Sequence, residues 1–195
     1  MKDIVLIGGG GHCRACIDVI ASTSAWRIAG ILDSAERVGH EVLGYPIVGT
    51  DERVEEFAKS GASFLVTVGQ IASSAVREKI WRRVRSFGGQ MPAIISSQAY
   101  VSNSAVLGEG TIVMHRAVIN TSAKVGDNVI VNTMALIEHD VEIGDHCHIS
   151  TAAVVNGASR IGSRCFVGSN AVVHHNVQIA EGTVIAAGAI YREQK

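Results

Sequence analysis

Residues 125–150, VGDNVIVNTMALIEHDVEIGDHCHIS, repeat one pattern every six positions. An aliphatic residue occupies each sixth position, and a small residue or a valine stands two places before it. Counted outward from this stretch, sixteen consecutive sixth positions from Ile95 to Ile185 are aliphatic. An unbroken short period of this kind predicts a solenoid, in which each repeat is a structural unit that stacks on its neighbours.

Glycines indicate how many repeats make one coil. Gly108, Gly126, Gly144 and Gly162 each follow an aliphatic position and lie 18 residues apart. Three hexads, each a short strand and a turn, would then form one triangular coil with the aliphatic and small residues facing inward. The spacing predicts a hexapeptide-repeat parallel β-helix of about five coils.

The first half of the chain belongs to a different class. A buried strand, a glycine turn and a helix are predicted in DIVLIGGGGHCRACIDVI, residues 3–20. Further strands are predicted in WRIAGILD and GASFLVTVG, and helices in DERVEEFAKS and SSAVREKIWRRVRSFG. Alternating strands and helices favour a small parallel α/β domain of the Rossmann-like type. We therefore expect a Rossmann-like domain over residues 1–92 and a β-helix domain over residues 93–195.

Composition narrows the functional classes. The 17 basic and 18 acidic residues are spread along the chain and give a net charge of −1, which argues against non-specific binding of nucleic acid or membrane surfaces. No apolar run reaches the length of a membrane span, so we expect a cytoplasmic protein. Cys13 and Cys16 lack the second ligand pair of a zinc site, and Cys147 and Cys165 occupy small inward positions. We expect all four cysteines to pack as small hydrophobic residues.

A glycine loop, Gly8–Gly11, follows the first predicted strand. Its backbone N–H groups could hold a phosphate at the start of the next helix. Cys13 stands at the third glycine position of a dinucleotide fingerprint, so the loop favours a mononucleotide or a nucleotide sugar over NAD. Asp33 and Gly69 end the next strands at the same sheet edge, where such folds bind ligands. A glycine turn without a ligand is the alternative.

Five motifs together resemble a known family: GGGGH (8–12), ILDS (31–34), TVGQ (67–70), IEHD (137–140) and HIS (148–150). The chain is similar over nearly its whole length to bacterial sugar acetyltransferases. These include sialic-acid O-acetyltransferases and N-acetyltransferases of nucleotide-linked amino sugars. The resemblance implies a left-handed β-helix, acetyl-CoA as co-substrate, no metal, and a homotrimer with active sites between subunits.

The resemblance also implies roles for individual residues. His139 matches the general base, and Asp140 matches the acidic neighbour that raises its basicity. Acetyl-CoA contacts are implied for His148, Ser169 and Ala187. Nucleotide-sugar contacts are implied for Gly10, Gly11, His12, Asp33, Ser34 and Gly69.

The coil geometry independently predicts where the histidines lie. Ile137 points inward, so His139 should lie at a solvent-facing corner, with Thr121 and Gly157 stacked one coil away on either side. Gly157 should leave an open notch beside the imidazole, and His175 should occupy the same corner one coil further on.

Two other histidines receive contrasting predictions. His148 lies half a coil from His139, so the two can share a site only if they come from different subunits, which a cyclic oligomer allows. His146 is expected to be a solvated surface residue.

Several functions remain open. N-acetylation of a nucleotide-linked amino sugar is the main hypothesis, and O-acetylation of sialic acid or a related nonulosonic acid is the alternative. A non-catalytic nucleotide-sensing or scaffold trimer is a third possibility. A β-helix metal hydratase would need two histidines five residues apart, and the repeat half offers no such pair. Either Glu138 or Asp140 could orient His139.

Overall fold

The computed structural model describes residues 1–192, and the predicted second domain thus extends over three residues, 193–195, that lie outside the described ones. The chain divides into two compact units, residues 1–69 with 75–92 and residues 70–74 with the repeat half. Residues 70–74 were expected in the first domain. They belong to the second because the Gln70 carbonyl accepts a hydrogen bond from His148 Nδ1 at 2.6 Å and Gln70 Nε2 donates to the Cys165 carbonyl at 3.5 Å.

The first unit is a five-stranded sheet with three α-helices. Its strands are β1 (Lys2–Ile7), β2 (Trp26–Leu32), β3 (Glu41–Val42), β4 (Tyr45–Gly49) and β5 (Ser63–Val66). Its helices are α1 (Gly11–Ala21), α2 (Val54–Lys59) and α3 (Ala75–Ser86). The strand order is β3-β4-β2-β1-β5, and all pairs are parallel except β3 with β4. All three predicted helices and all three predicted strands are confirmed.

A hairpin between β3 and β4 was not predicted. No strand was predicted between the strand in WRIAGILD and the helix in DERVEEFAKS. The chain instead turns at Leu43 and Gly44, whose φ angles of 51° and 81° are those of a two-residue hairpin turn. Leucine is unusual at such a position, which is why the turn escaped prediction. β4 then pairs with β2 and widens the sheet.

The second unit consists of seventeen two-residue strands, as follows. They are β6 (Ile94–Ile95), β7 (Tyr100–Val101), β8 (Val106–Leu107), β9 (Ile112–Val113), β10 (Val118–Ile119), β11 (Lys124–Val125), β12 (Ile130–Val131), β13 (Leu136–Ile137), β14 (Glu142–Ile143), β15 (His148–Ile149), β16 (Val154–Val155), β17 (Arg160–Ile161), β18 (Phe166–Val167), β19 (Val172–Val173), β20 (Gln178–Ile179), β21 (Val184–Ile185) and β22 (Ile190–Tyr191). Ile137 pairs in parallel with Ile119 and Val155, each 18 residues away, so the predicted coil is confirmed.

Three sheets form the sides of this β-helix, and we name each after one outward residue. The Leu136 face contains β7, β10, β13, β16, β19 and β22; the Glu142 face contains β8, β11, β14, β17 and β20; the His148 face contains β6, β9, β12, β15, β18 and β21. The turns that follow the Leu136 face at residues 138–140, 156–158 and 174–176 form the His139 corner. The turns that follow the His148 face at residues 150–152, 168–170 and 186–188 form the Ser169 corner.

Inward residues fill the β-helix as predicted. The small and aliphatic positions of the central coils are fully buried, including Cys147 and Cys165. Ile95 departs from the pattern, because it is 38% exposed in the first coil, where no earlier coil stacks on it. At the corners, eleven non-glycine residues adopt φ angles of 53–63°, and backbone hydrogen bonds between coils, such as Asp140 N to Thr121 O at 3.0 Å, support this conformation.

Candidate active site

His139 and Asp140 form a hydrogen-bonded pair at the His139 corner. His139 Nδ1 lies 2.8 Å from Asp140 Oδ2, and both side chains are 60% exposed. An ionised carboxylate can only accept, so Nδ1 carries the proton and Nε2 keeps a lone pair that can accept one. The arrangement is that of an imidazole oriented by a carboxylate, as a general base requires.

The Glu138 carboxylate forms hydrogen bonds with other groups than the His139 imidazole. Its Oε2 accepts hydrogen bonds from Asn120 Nδ2 at 2.9 Å and from the backbone N–H of His139 at 3.3 Å. Glu138 therefore holds the backbone of the corner, while Asp140 holds the imidazole. This geometry distinguishes two acidic neighbours that the sequence left equivalent.

Gly157 provides space for the imidazole ring itself. A β-carbon at Gly157 would lie 2.8 Å from both Cε1 and Nε2 of His139, closer than such atoms approach in proteins. The sequence analysis expected an open notch beside the ring, but the ring occupies that space. The absent side chain thus lets the Nε2 edge of His139 lean over the next coil.

An open cleft of about 410 Å³ borders this edge of the ring. Its lining includes Glu138, His139, Asn156, Gly157 and His175. His175 thus shares a cleft with His139, at the corner position predicted from coil stacking. Its ring stacks on that of His174, with centroids 6.0 Å apart and an interplanar angle of 26°.

His148 lies on another face and is only 7% exposed. Its Nδ1 donates to the Gln70 carbonyl, and Asn132 Nδ2 lies 3.0 Å from its Nε2. Because Asn132 Oδ1 accepts from the Thr133 N–H at 2.7 Å, the Asn132 nitrogen must face the ring, and His148 Nε2 accepts. The sequence contained no local signal for either partner. The acetyl-CoA contact of His148 stays a prediction.

Ser169 and Ala187 stack on adjacent coils at the Ser169 corner. The N–H of Gly188 donates to the Ser169 carbonyl at 2.8 Å, and the hydroxyls of Ser150 and Ser169 are 3.0 Å apart. The three residues predicted to contact acetyl-CoA therefore lie along the His148 face and the corner that follows it. His139 lies at a different corner of the same chain, as the coil geometry predicted.

His146 is not the solvated surface residue that the sequence suggested. It is 6% exposed, and its Nδ1 lies 3.0 Å from Asn128 Nδ2 one coil away. The corner backbone, with φ of 59° at His146, lays this side chain against the stack of coils. His146 therefore contributes to packing between coils.

The glycine loop of the first unit leaves the start of α1 open. A β-carbon at Gly10 or Gly11 would meet no atom within 4 Å, and the N-cap residue of this helix is Gly10, which has no side chain to cap it. Exposed N–H groups at a helix start suit an anionic group such as phosphate. A β-carbon at Gly69 would lie 3.6 Å from His12 Cβ, so two predicted nucleotide-sugar residues are neighbours.

Asp33 organises the rim beside this loop. Its carboxylate accepts hydrogen bonds from Gly9 N at 2.8 Å, Ser34 N at 2.8 Å and Arg37 Nη1 at 2.6 Å. The structure thus brings Asp33 to the glycine loop, as the shared sheet edge predicted. Arg37 was missed, although it follows Asp33 by four residues and has the opposite charge.

Arg77 is a buried cation for which no role was predicted from the sequence. It is 1% exposed, and its Nη1 donates to the carbonyls of Val66 at 2.8 Å and Val68 at 2.6 Å. Burial lowers the pKa of Arg77 to about 10, so the guanidinium is still charged at neutral pH. Arg77 fixes the chain where β5 ends.

The cysteines pack as predicted. Cys13 and Cys16 are fully buried, and burial raises the pKa of both thiols. Within residues 1–192, no group of three His, Cys, Asp or Glu side chains is arranged to hold a metal ion. No helix in the same range has the length and apolar character needed to cross a membrane.

Comparison with known proteins identifies both halves of the chain. Residues 3–84 match the model of the PglD N-terminal domain, and residues 158–190 match that of the bacterial transferase hexapeptide repeat. A histidine-to-asparagine variant of perosamine N-acetyltransferase from Caulobacter crescentus, solved with CoA and GDP-perosamine, is 33% identical with a TM-score of 0.91. The match covers 98% of this chain and 89% of that one. The chain belongs to the hexapeptide-repeat sugar acetyltransferase family.

Other members of this family are also similar. The acetyltransferase domain of PglB from Neisseria gonorrhoeae, solved with acetyl coenzyme A, is 28% identical, with 96% of this chain and 89% of that one covered and a TM-score of 0.87. UDP-N-acetylbacillosamine N-acetyltransferase of Bacillus subtilis is 31% identical over 119 residues, which are 58% of this chain and 52% of that protein. The chain therefore spans about half the length of this curated relative. The fold of the family, a Rossmann-like domain followed in the chain by a left-handed β-helix, is the one predicted.

Proposed function

We propose that this protein transfers the acetyl group of acetyl-CoA to the amino group of a nucleotide-linked sugar, with His139 as the general base. One observation carries the proposal: His139 is oriented by Asp140 at Nδ1 and presents Nε2 to an open cleft over Gly157. The names of the similar proteins, N-acetyltransferases of perosamine and bacillosamine sugars, support the choice of acceptor.

The reaction requires one base and no covalent enzyme intermediate. The sugar nitrogen attacks the thioester carbonyl carbon, a C–N bond forms, and the proton leaves the nitrogen for His139 Nε2. The tetrahedral intermediate then collapses, the C–S bond breaks, and the departing thiolate takes the proton from the imidazolium. Asp140 stabilises that imidazolium, and such general base catalysis typically contributes about 10²–10⁴-fold in rate.

Binding roles follow the sequence predictions. Acetyl-CoA is assigned to the side of the β-helix that bears His148, Ser169 and Ala187, and no metal takes part. The nucleotide is assigned to the open start of α1 and to the rim that Asp33 organises. In this proposal the reaction takes place in the cytoplasm.

A homotrimer would complete the site. The Leu136 face has the Ser169 corner along one edge and the His139 corner along the other. Its outward positions are all apolar or aromatic: Tyr100, Val118, Leu136, Val154, Val172 and Ile190. Three copies packed through this face would place the His139 corner of one beside the Ser169 corner of the next.

Thiol release from acetyl-CoA tests the proposal, with GDP-, UDP- and dTDP-linked amino sugars and free sialic acid as acceptors. We expect turnover with an amino-sugar nucleotide, a loss of about 10²–10⁴-fold in His139→Ala and a smaller loss of about 10–100-fold in Asp140→Asn. His40→Ala, at an exposed histidine of the first unit, is the matched control.

The alternatives give different results in the same assay. Turnover with sialic acid alone would replace N-acetylation by O-acetylation. Binding of CoA without turnover of any acceptor would favour the scaffold hypothesis and contradict the proposal.

A further inference from the structure

A small cavity of about 200 Å³ lies at the carboxyl ends of β1 and β2 in the first unit. Five apolar residues contribute to its walls: Ile7, Leu32, Val68, Val76 and Ile80. The volume is below the roughly 300–1,000 Å³ of pockets for drug-sized ligands, so it suits one planar ring system. Val76 is 59% exposed at its rim, an aliphatic surface that a flat ring could cover.

Two carboxylates, Asp33 and Asp51, line this cavity, and they differ in the hydrogen bonds that they form within the protein. Asp33 accepts three hydrogen bonds from its own loop, as described above. Asp51 Oδ2 is 3.9 Å from Arg83 Nε, beyond hydrogen-bond distance, because Arg83 Nε donates instead to the Asp51 backbone carbonyl at 2.8 Å. Asp51 is thus paired with Arg83 only at ion-pair distance, its side chain is 46% exposed, and its carboxylate oxygens can still accept hydrogen bonds from a ligand.

A carboxylate with two available oxygens selects among nucleobases. Guanine presents two adjacent donors, N1–H and the 2-amino group, which match the two oxygens in parallel. Uracil and thymine present one N–H between two carbonyl oxygens, and these oxygens repel a carboxylate. Adenine and cytosine place an acceptor nitrogen beside their amino group, so neither can donate two parallel bonds.

We propose that this cavity binds a guanine base and that Asp51 determines the preference by accepting from N1–H and the 2-amino group. Gly8 lines the cavity and leads directly into Gly9, Gly10 and Gly11. A diphosphate attached to the base would therefore extend toward the open start of α1, where exposed N–H groups suit it. This inference rests on the proposed function and specifies it further: the acceptor sugar is linked to a guanosine diphosphate.

Calorimetric titration of the full chain with GDP, UDP, dTDP, ADP and IDP tests the preference. We expect GDP to bind about tenfold or more tightly than UDP, the discrimination typical of one good bidentate pair. IDP lacks the 2-amino group, so wild-type protein should bind it more weakly than GDP.

Asp51→Asn isolates the carboxylate. The amide has the same shape but places a donor opposite a guanine donor, so GDP affinity should fall about tenfold, whereas UDP affinity should rise because the amide donor and acceptor match a uracil carbonyl and its N3–H. The ratio of GDP to IDP affinity should then approach one. Glu52→Gln, which removes the adjacent exposed carboxylate, should leave both ratios as in wild type.

Three results would overturn the guanine assignment. They are UDP or ADP affinity equal to that of GDP, an unchanged GDP-to-IDP ratio in Asp51→Asn, and no nucleotide binding at all. Thiol release with any nucleotide-linked amino sugar of the panel would, in each case, leave the proposed N-acetyl transfer intact. GDP selectivity without thiol release on a GDP-linked amino sugar would instead uphold the pocket and overturn the proposed reaction.

Discussion

Gly157 is the residue on which the orientation of His139 depends. Its φ angle lies outside the left-handed region, so the backbone would accept any residue. The space above it, however, holds the imidazole ring. A side chain at this position would therefore leave the fold intact and move the base.

We expect Gly157→Ala to lower kcat/KM about 100-fold, because a β-carbon 2.8 Å from Cε1 and Nε2 must displace the ring. Steady-state kinetics with acetyl-CoA and the best acceptor measure this effect, and thermal unfolding should change little. In a His139→Ala background the same substitution should cost nothing further. A full additional loss in that background would mean that Gly157 acts independently of His139.

For single residues, the sequence predicted the place of a residue on the coil better than the partners of its side chain. The six-residue period placed His139 at a corner and aligned it with Gly157 and His175, because these residues share one coil repeat. The Asp140 contact also lay within reach of prediction, since the two residues are adjacent. The burial of His146 and the partners of His148 could not be predicted, because they depend on side chains from other coils and from residue 70.

At the scale of elements, the junction between β5 and α3 depends on one buried guanidinium. Arg77 in the first turn of α3 reaches back to the carbonyls of Val66 and Val68. Val68 in turn contacts Gly8, whose φ of 105° is open only to glycine without strain, and both residues line the proposed guanine cavity. The helix thus supports the loop through the end of the strand.

We expect Arg77→Met to lower the free energy of unfolding of the first unit by about 2–4 kcal/mol, since two buried carbonyls lose their donor. Both tryptophans, Trp26 and Trp81, lie in this unit, so tryptophan fluorescence during urea unfolding reports on it. Arg77→Lys keeps the charge and should lose less. A loss below about 0.5 kcal/mol in Arg77→Met would show that the two hydrogen bonds do not support the unit.

Strands and helices could be predicted where the sequence is periodic, but not where a short segment has no repeat. Every β-helix strand follows from one repeat, and the helices α1 and α3 follow from apolar spacing. The β3–β4 hairpin has no repeat, and its turn uses Leu43 where asparagine or glycine is usual. The cavity beside Asp51 could not be predicted either, because residues from five separate segments of the chain form its walls.

On the scale of the whole molecule, the three faces of the β-helix differ in chemistry. The Leu136 face presents aliphatic and aromatic side chains, with Tyr100 and Ile190 57% and 67% exposed. The Glu142 face instead carries an ion-pair ladder, in which Lys124 Nζ lies 3.3 Å and Arg160 Nε 3.7 Å from the Glu142 carboxylate. An apolar face of this extent is typical of a contact between copies.

We expect Leu136→Glu to convert the proposed trimer into monomers and to abolish turnover, because it buries a charge in each interface and separates the two corners. Light scattering coupled to size-exclusion chromatography measures the mass. The matched control is Gln178→Glu on the Glu142 face, which should remain trimeric and active. Full activity of a monomeric Leu136→Glu protein would contradict a site shared between subunits.

The sequence alone determined the architecture of the repeat half, the class of the first half, and the alignment of His139 with Gly157 and His175. It could do so because a strict period converts chain distance directly into position on a coil. Tertiary structure alone decided which acid holds His139, how His148 is bonded to Gln70 and Asn132, and that Asp51 and the walls around it form a cavity. Those features depend on side-chain rotamers and on contacts between distant segments, which no local pattern encodes.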